Sequence, residues 1–251
     1  MSESSSFERM RVGIVIPACD EVECIETTIA ELRRVLPWEP LKIAVGVNGS
    51  RDGTADLCRR LGVLTAETAK RGYGHGCMAA IRLLDAEEPE IDAYVFMAAD
   101  GANDPRDVPV LLDKAAQGFD FVLGTRTTQR ANLHVMKPSH FLANRFLGLW
   151  ASVLSGFFYT DLGPLRLIRR GALEKMALRE TTYGWTIEPQ VLAPFLGLSV
   201  AEVPVSERRR QQGRQKVSGV TLRHTLCVGL AIMKAGWRTS RRCRGLKASK
   251  D

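Results

Sequence analysis

Tyr94-Val95-Phe96-Met97-Ala98-Ala99-Asp100-Gly101 is the stretch on which the fold turns. A short apolar run, aromatic and β-branched, stops at a single carboxylate and a glycine. It reads as a buried strand that delivers Asp100 to its C-terminal tip, where open α/β sheets take their ligands. Taken alone it is equally an ordinary strand closed by an Asp-Gly turn. What decides is whether other segments converge on the same place.

Upstream, Val12-Gly13-Ile14-Val15-Ile16 forms an apolar run closed by Pro17, and a helical pattern opens at Asp20 and Glu21 with Ile25, Ile29, Leu32 and Leu36 on one face. A second strand, Leu41 to Val47, leads into Asn48-Gly49-Ser50-Arg51-Asp52-Gly53-Thr54, dense in turn formers and in small side chains able to bind a ligand or cap a helix. After a brief strand near Val63 comes Lys70-Arg71-Gly72-Tyr73-Gly74-His75-Gly76. This reads as a basic, glycine-rich loop running into a helix from Cys77 to Ala86, with amides suited to an anion. Downstream, a helix from Pro105 to Gln117 precedes a strand, Phe119 to Leu123, ending in Gly124-Thr125-Arg126.

Strands and helices alternating at this spacing predict βαβ units and a mostly parallel α/β sheet. Asp20, Asn48, Asp52, Asp100 and Arg126 then share one sheet edge, because parallel strands point the same way. No G-x-G-x-x-G follows the first strand and no P-loop is present, which sets dehydrogenase and ATPase chemistry aside.

The second half changes character. Phe141 to Tyr159 is largely apolar, but Asn144 and Arg145 leave an uninterrupted run of 14 residues, short of the roughly 20 that a membrane span needs. Thr160-Asp161-Leu162-Gly163-Pro164 and Tyr183-Gly184-Trp185-Thr186-Ile187-Glu188 follow, then a strand from Ser199 to Val205 and a run of arginines. The last helical pattern aligns Leu222, Leu226, Leu230, Met233 and Trp237 on one stripe, with Arg223, Lys234, Arg238 and Arg241 off it. A helix packed by that stripe against the core is the plain expectation; an interfacial membrane helix is the alternative.

The chain has 251 residues, 45% hydrophobic and 25% charged, which suits a soluble globular protein. Its net charge of +7 is uneven: from Ser206 onward thirteen Lys and Arg face two acids, whereas the preceding 205 residues are mildly acidic. Such an end attracts phosphates, anionic headgroups or nucleic acid. Nucleic acid ranks last, because no aromatics are interleaved with the arginines. The six cysteines are scattered without metal spacing, so neither a zinc site nor a disulfide framework is expected. The polar first ten residues carry no signal-peptide core. The expected organisation is a disordered segment over 1–10, one α/β domain over 11–219, an amphipathic basic helix over 220–240 and a basic tail over 241–251.

Together these motifs resemble family 2 glycosyltransferases of the GT-A fold, most closely the bacterial relatives of polyprenyl-phosphate mannosyl- and glucosyltransferases. The resemblance runs from Val12 to about Trp237. It implies a donor site for a nucleoside-diphosphate sugar built from Pro17, Ala18, Glu21, Asn48, Ser50, Asp52, Lys70, Arg71, Gly72, Ala99, Asp100 and Gly101. Asp100 stands as the second carboxylate of the family's Asp-x-Asp motif and as the ligand of Mg²⁺ or Mn²⁺; Ala98 replaces the first, and Ala102 replaces a commonly polar position. The implied reaction inverts configuration as the acceptor displaces the diphosphate. A hydroxyl acceptor calls for a general base, with Asp161 and Glu188 as candidates. A polyprenyl phosphate calls instead for cations, with Arg126, Arg208, Arg210, Arg214 and Lys216 as candidates. The phosphate acceptor is favoured over a soluble hydroxyl acceptor and over a non-catalytic sugar-nucleotide binder. A cytoplasmic protein at the inner membrane face, in peripheral contact with it and able to form a homodimer, is the corresponding expectation.

Overall fold

The computed structural model describes residues 10–36, 41–210 and 222–248. Seven strands form one sheet in the order β3-β2-β1-β4-β6-β5-β7. They are β1 (Val12–Ala18), β2 (Lys42–Asn48), β3 (Leu64–Thr68), β4 (Ala93–Phe96), β5 (Phe121–Thr125), β6 (Arg166–Arg169) and β7 (Val200–Pro204). Every pairing is parallel except those of β6, which runs antiparallel between β4 and β5. The sheet is therefore mostly parallel, as expected.

Strand residues alternate between two cores. Ile14, Ile16, Val45 and Val95 face one, and Val15, Ala44, Tyr94 and Phe96 the other, so the strands are apolar on both faces. Helices α1 (Ile25–Val35), α2 (Thr54–Arg60) and α4 (Val108–Ala116) cover the first face. Helices α3 (Tyr73–Glu87), α5 (Pro138–Ser155), α6 (Arg170–Met176), α7 (Glu188–Phe195) and α8 (Leu222–Ala248) cover the second.

The chain runs outward from β1 to β2 and β3, then returns to β4 on the other side of β1. Open α/β sheets place their ligand crevice at such a switch point, here the parting of β1 and β4. Their last bond runs from the Met97 amide to the Val15 carbonyl. Pro17, which has no N–H to give, stands beyond it and still pairs with Gly46 of β2. The strand thus continues through the proline to Ala18 instead of ending before it.

Two expectations are corrected. The segment Tyr73–Gly76 is helical, the first turn of α3, not a loop. Its glycines serve close packing: a Cβ at Gly46 would stand 1.9 Å from the Gly76 carbonyl oxygen, and one at Gly74 would stand 2.7 Å from that of Glu180. The last helix, expected to end at 240, continues to Ala248. Its reason is packing, since Cys243 is buried and Arg242 pairs with Glu188.

That pair ties the C-terminal helix to the domain. Glu188 is fully buried, accepts the amides of Arg179 and Glu180, and receives Arg242 at 3.0 Å. Removing one partner of such a buried pair strands the other. Glu188→Ala is expected to lower stability by about 3 kcal/mol in urea unfolding, with loss of helical signal preceding the main transition.

Candidate active site

The C-terminal tips of β1, β2, β3, β4, β5 and β7 lie on one edge of the sheet. Because β6 is reversed, its N-terminal approach, carrying Asp161, reaches that same edge. The predicted residues that the structure describes converge there, with Glu188 set behind in α7; Arg214 and Lys216 lie outside the described residues.

On the donor side the first two loops are laced together. Asp20, in the left-handed region at φ 54°, accepts the Arg51 amide at 2.7 Å and the Arg71 guanidinium at 2.8 Å, while its own amide donates to Ser50 Oγ at 2.9 Å. Asp52 accepts the Val22 and Thr54 amides and the Thr54 hydroxyl. Asn48 bridges the loops, donating to the Ala18 carbonyl and accepting from the Gly72 amide. Ser50, Asp52 and Asn48 therefore fix the crevice wall with the polar atoms that were expected to meet a ligand. Lys70 and Arg71 lie exposed at its rim.

The helix start beside them is not an open anion cradle. The Gly72 amide is held by Asn48, and the His75 amide by the Thr181 carbonyl at 2.9 Å. Segment 180–182 crosses the first turn of α3 and covers it.

At the crevice floor Asp100 is about one-quarter exposed. One carboxylate oxygen caps the Ala102 amide at 3.1 Å, and the other stands 3.4 Å from Arg210. Arg210 also pairs with Glu21, so one guanidinium spans the first loop and the tip of β4. Arg208 likewise bridges Glu31 and Asp104. Burial opposes ionisation of Asp104, but hydrogen bonds from Arg106 and Arg208 outweigh it and hold that carboxyl down near 2. Among the described residues no three His, Cys, Asp or Glu side chains gather to hold a metal. With Ala98 and Ala102 apolar, the donor set fits a cation that takes one protein carboxylate, Asp100, and draws its other ligands from diphosphate and water. Mg²⁺ accepts such a shell.

The acceptor side differs from expectation. Arg126 is buried and grips Asp161 through its amide, Nε and Nη2 at 2.8–3.0 Å. Asp161 is wholly buried and also accepts the Leu162 amide. Asp161 and Glu188, offered by the sequence as proton acceptors, are here counter-ions shut away from solvent. Arg126 is correspondingly matched and not a bare phosphate clamp.

Glu207, which the sequence hides inside an arginine-rich run, is a carboxylate with unused capacity. Its backbone pairs with Asn103, its amide donates to Asn132, and one carboxylate oxygen stands 3.4 Å from Arg126. The other oxygen is buried and lacks a hydrogen-bond partner. Burial, with Asp161 and Asp100 nearby, outweighs the attraction of Arg126 and pushes this carboxyl up to about 7.

The family model for Glycosyl transferase family 2 matches residues 13–177. The chain is a family 2 glycosyltransferase. It is 27% identical to the undecaprenyl-phosphate mannosyltransferase of Micrococcus luteus over 250 residues, spanning 95% of this chain and 98% of that one. It is 26% identical to the polyprenol monophosphomannose synthase of Mycolicibacterium smegmatis, over 86% of this chain and 84% of that one. In fold it matches a crystal structure of glucosyl-3-phosphoglycerate synthase from Mycobacterium tuberculosis in complex with Mn²⁺, UDP and phosphoglyceric acid. The TM-score is 0.66 at 18% identity, over 94% of this chain and 80% of that one. The GT-A fold of this glycosyltransferase is thereby shown, and the Micrococcus luteus relative, matched over 95% of this chain, is named for undecaprenyl phosphate.

The raised carboxyl of Glu207 has a stability consequence. The folded state holds this proton more tightly than an unfolded chain with an ordinary value of 4.5. Stability is therefore lost as pH rises from about 4.5 through about 7, then levels off. Glu207→Gln is expected to flatten that part of a melting-temperature profile. It should also stabilise the protein at pH 8 by on the order of 3 kcal/mol at most.

Proposed function

We propose that this glycosyltransferase transfers a hexose, with inversion, from a nucleoside-diphosphate sugar to a polyprenyl phosphate, in peripheral contact with a membrane. The observation that carries the choice of acceptor is the burial of Asp161 and Glu188. A hydroxyl must lose a proton to become nucleophilic, and both expected bases are saturated and closed off. A phosphate monoester, with a second pKa near 6, arrives already anionic. The names of the full-length relatives support the same acceptor.

In this scheme the crevice between β1 and β4 takes the nucleotide, with Pro17, Ala18 and Glu21 on one wall and Ala99, Asp100 and Gly101 on the floor. A phosphate oxygen of the acceptor attacks the anomeric carbon while the bond to the diphosphate breaks, its electron pair leaving with the diphosphate. Charge therefore grows on the leaving group, and its stabilisation is the main catalytic demand. Mg²⁺ or Mn²⁺, held by Asp100, would supply Lewis-acid neutralisation there. Arg210, already against Asp100, and Arg71 at the rim add fixed positive charge. Arg208 holds the segment that carries Arg210 against Asp104.

Glu207 favours one second reading, a soluble hydroxyl acceptor with Glu207 as base, since a carboxyl titrating near neutrality suits proton transfer. The two readings separate on acceptor and variant. Asp100→Ala should cut transfer on the order of 10²–10³-fold under either. With a short-chain prenyl phosphate as acceptor, Glu207→Gln should retain kcat within about threefold. A loss of 10²-fold or more, with the free prenol accepted as well as its phosphate, would move the assignment to a hydroxyl acceptor.

A further inference from the structure

Helices α5 and α8 leave their large apolar side chains outside. Among the described residues eleven large hydrophobic side chains are exposed, and seven of them sit on these two helices. Leu142, Phe146, Leu149 and Val153 repeat along α5 at spacings of four, three and four, and Leu226, Leu230 and Trp237 repeat along α8. Each is at least half exposed. This overturns the expectation that the Leu226, Leu230 and Trp237 stripe packs α8 on the core. The buried face of α8 is instead made of small or slender side chains, Ile232, Ala235, Thr239, Ser240 and Cys243.

The two stripes belong to one surface. Trp150 of α5 donates to the Met233 carbonyl of α8, and further along both helices Ser240 donates to the Leu154 carbonyl. The helices therefore run side by side in the same direction, and their stripes lie level. Neither helix contains an Asp or a Glu, although the first 205 residues of the chain are mildly acidic. Exposed cations border the stripes: Lys137 and Arg145 on the α5 side, Lys234, Arg241 and Arg244 on α8. The Arg241 guanidinium stands 4.8 Å from the centre of the Trp237 ring, a pairing of amphipathic ring and cation that suits a headgroup layer.

We infer that the α5–α8 face docks the enzyme onto an anionic lipid surface. An exposed apolar stripe with a cationic margin and no acids is complementary to apolar acyl chains beneath negative headgroups. No helix among the described residues is long and apolar enough to cross a membrane, so the contact is in the plane of the interface. The role of the face rests on the lipid-acceptor reading above. Its place in the fold suits that role, because α5 turns its other side to the site: a Cβ at Gly148 would stand 2.8 Å from the Asp161 amide. The helix that meets lipid therefore also backs the carboxylate that holds Arg126.

The full-length protein can be co-sedimented with vesicles of phosphatidylcholine alone and with one-third phosphatidylglycerol. It should bind the anionic vesicles at least tenfold better, and less well as salt rises. Leu230→Ser with Trp237→Ser, or Phe146→Ser with Leu149→Ser, should weaken that binding at least tenfold. Because these side chains are exposed, melting temperature and transfer to a water-soluble short-chain prenyl phosphate should not change. Wild-type protein indifferent to anionic vesicles, or variants that bind as well as wild type, would overturn the inference. So would a concentration-dependent dimer abolished by the same substitutions, which would make the face a contact between two copies. Vesicle binding that behaves as stated, in a protein that transfers nothing to the prenyl phosphate, would overturn the acceptor assignment and leave the docking face standing.

Discussion

The buried pair of Arg126 and Asp161 organises the edge of the sheet on which the chemistry depends. It joins the exit of β5 to the approach of β6, two strands that run in opposite directions and are separated by α5 in sequence. Three of the four hydrogen bonds that Arg126 donates go to Asp161, and Nη1 is left for Glu207. Ion pairs of this kind contribute little net stability, because desolvation of both charges offsets their attraction. What they supply is a unique arrangement: either partner alone in that position would be an uncompensated buried charge. The Arg126 carbonyl is in turn held by Asn132, which also accepts the Glu207 amide and so draws the arginine-rich strand exit over the site.

That arrangement explains why the cations look different in space from how they look in sequence. Arg126, Arg208 and Arg210 read as a phosphate clamp because residue type and order say nothing about partners. In the fold each meets carboxylates from distant segments, Asp161, Glu31 with Asp104, and Glu21 with Asp100. The polar donor loops behave alike: Asn48, Ser50 and Asp52 hold the backbone of the first loop at Ala18, Asp20 and Val22, and Asn48 also holds the Gly72 amide. A crevice of fixed shape results, whose polar groups need little reorganisation when charge develops on a leaving group.

The strand tips were legible because each apolar run ends abruptly in a polar turn, and a parallel sheet gathers such ends by necessity. The start of α3 was not, since glycines at 72, 74 and 76 have the same composition in a flexible loop as in a helix pressed against β2 and segment 180–182. Glu207 was hidden by its neighbours; only tertiary packing shows that one of its oxygens is buried beside Asn103 and Arg126. For α8 the periodicity was right and the face was wrong. Amphipathic spacing identifies a stripe of large apolar residues, but close helix packing at the core uses small ones. Ala235 and Gly236 approach Gly184, Ile187 and Leu154 at distances a larger side chain would not allow.

The misplaced stripe and the thinned Asp-x-Asp motif bear on one question, where the enzyme finds its charge and its acceptor. With Ala98 and Ala102 flanking Asp100, the protein offers a single carboxylate to a divalent cation, and its fixed guanidinium groups lie against carboxylates when no substrate is bound. On the proposed reading, an incoming diphosphate would compete with Glu21 and Asp100 for Arg210, exchanging one anion for another on a cation that is already in position. On the α5–α8 face, by contrast, Lys137, Arg145, Lys234, Arg241 and Arg244 are exposed, while Arg238 and Arg242 of α8 pair with Glu180 and Glu188. A division follows from that distribution: the guanidinium groups of Arg126, Arg208 and Arg210 are paired to shape the site, and the exposed cations bordering the α5 and α8 stripes are the ones available to the lipid surface inferred above. The lipid-borne phosphate proposed as acceptor would join the two, because its chain belongs to the surface and its headgroup to the site.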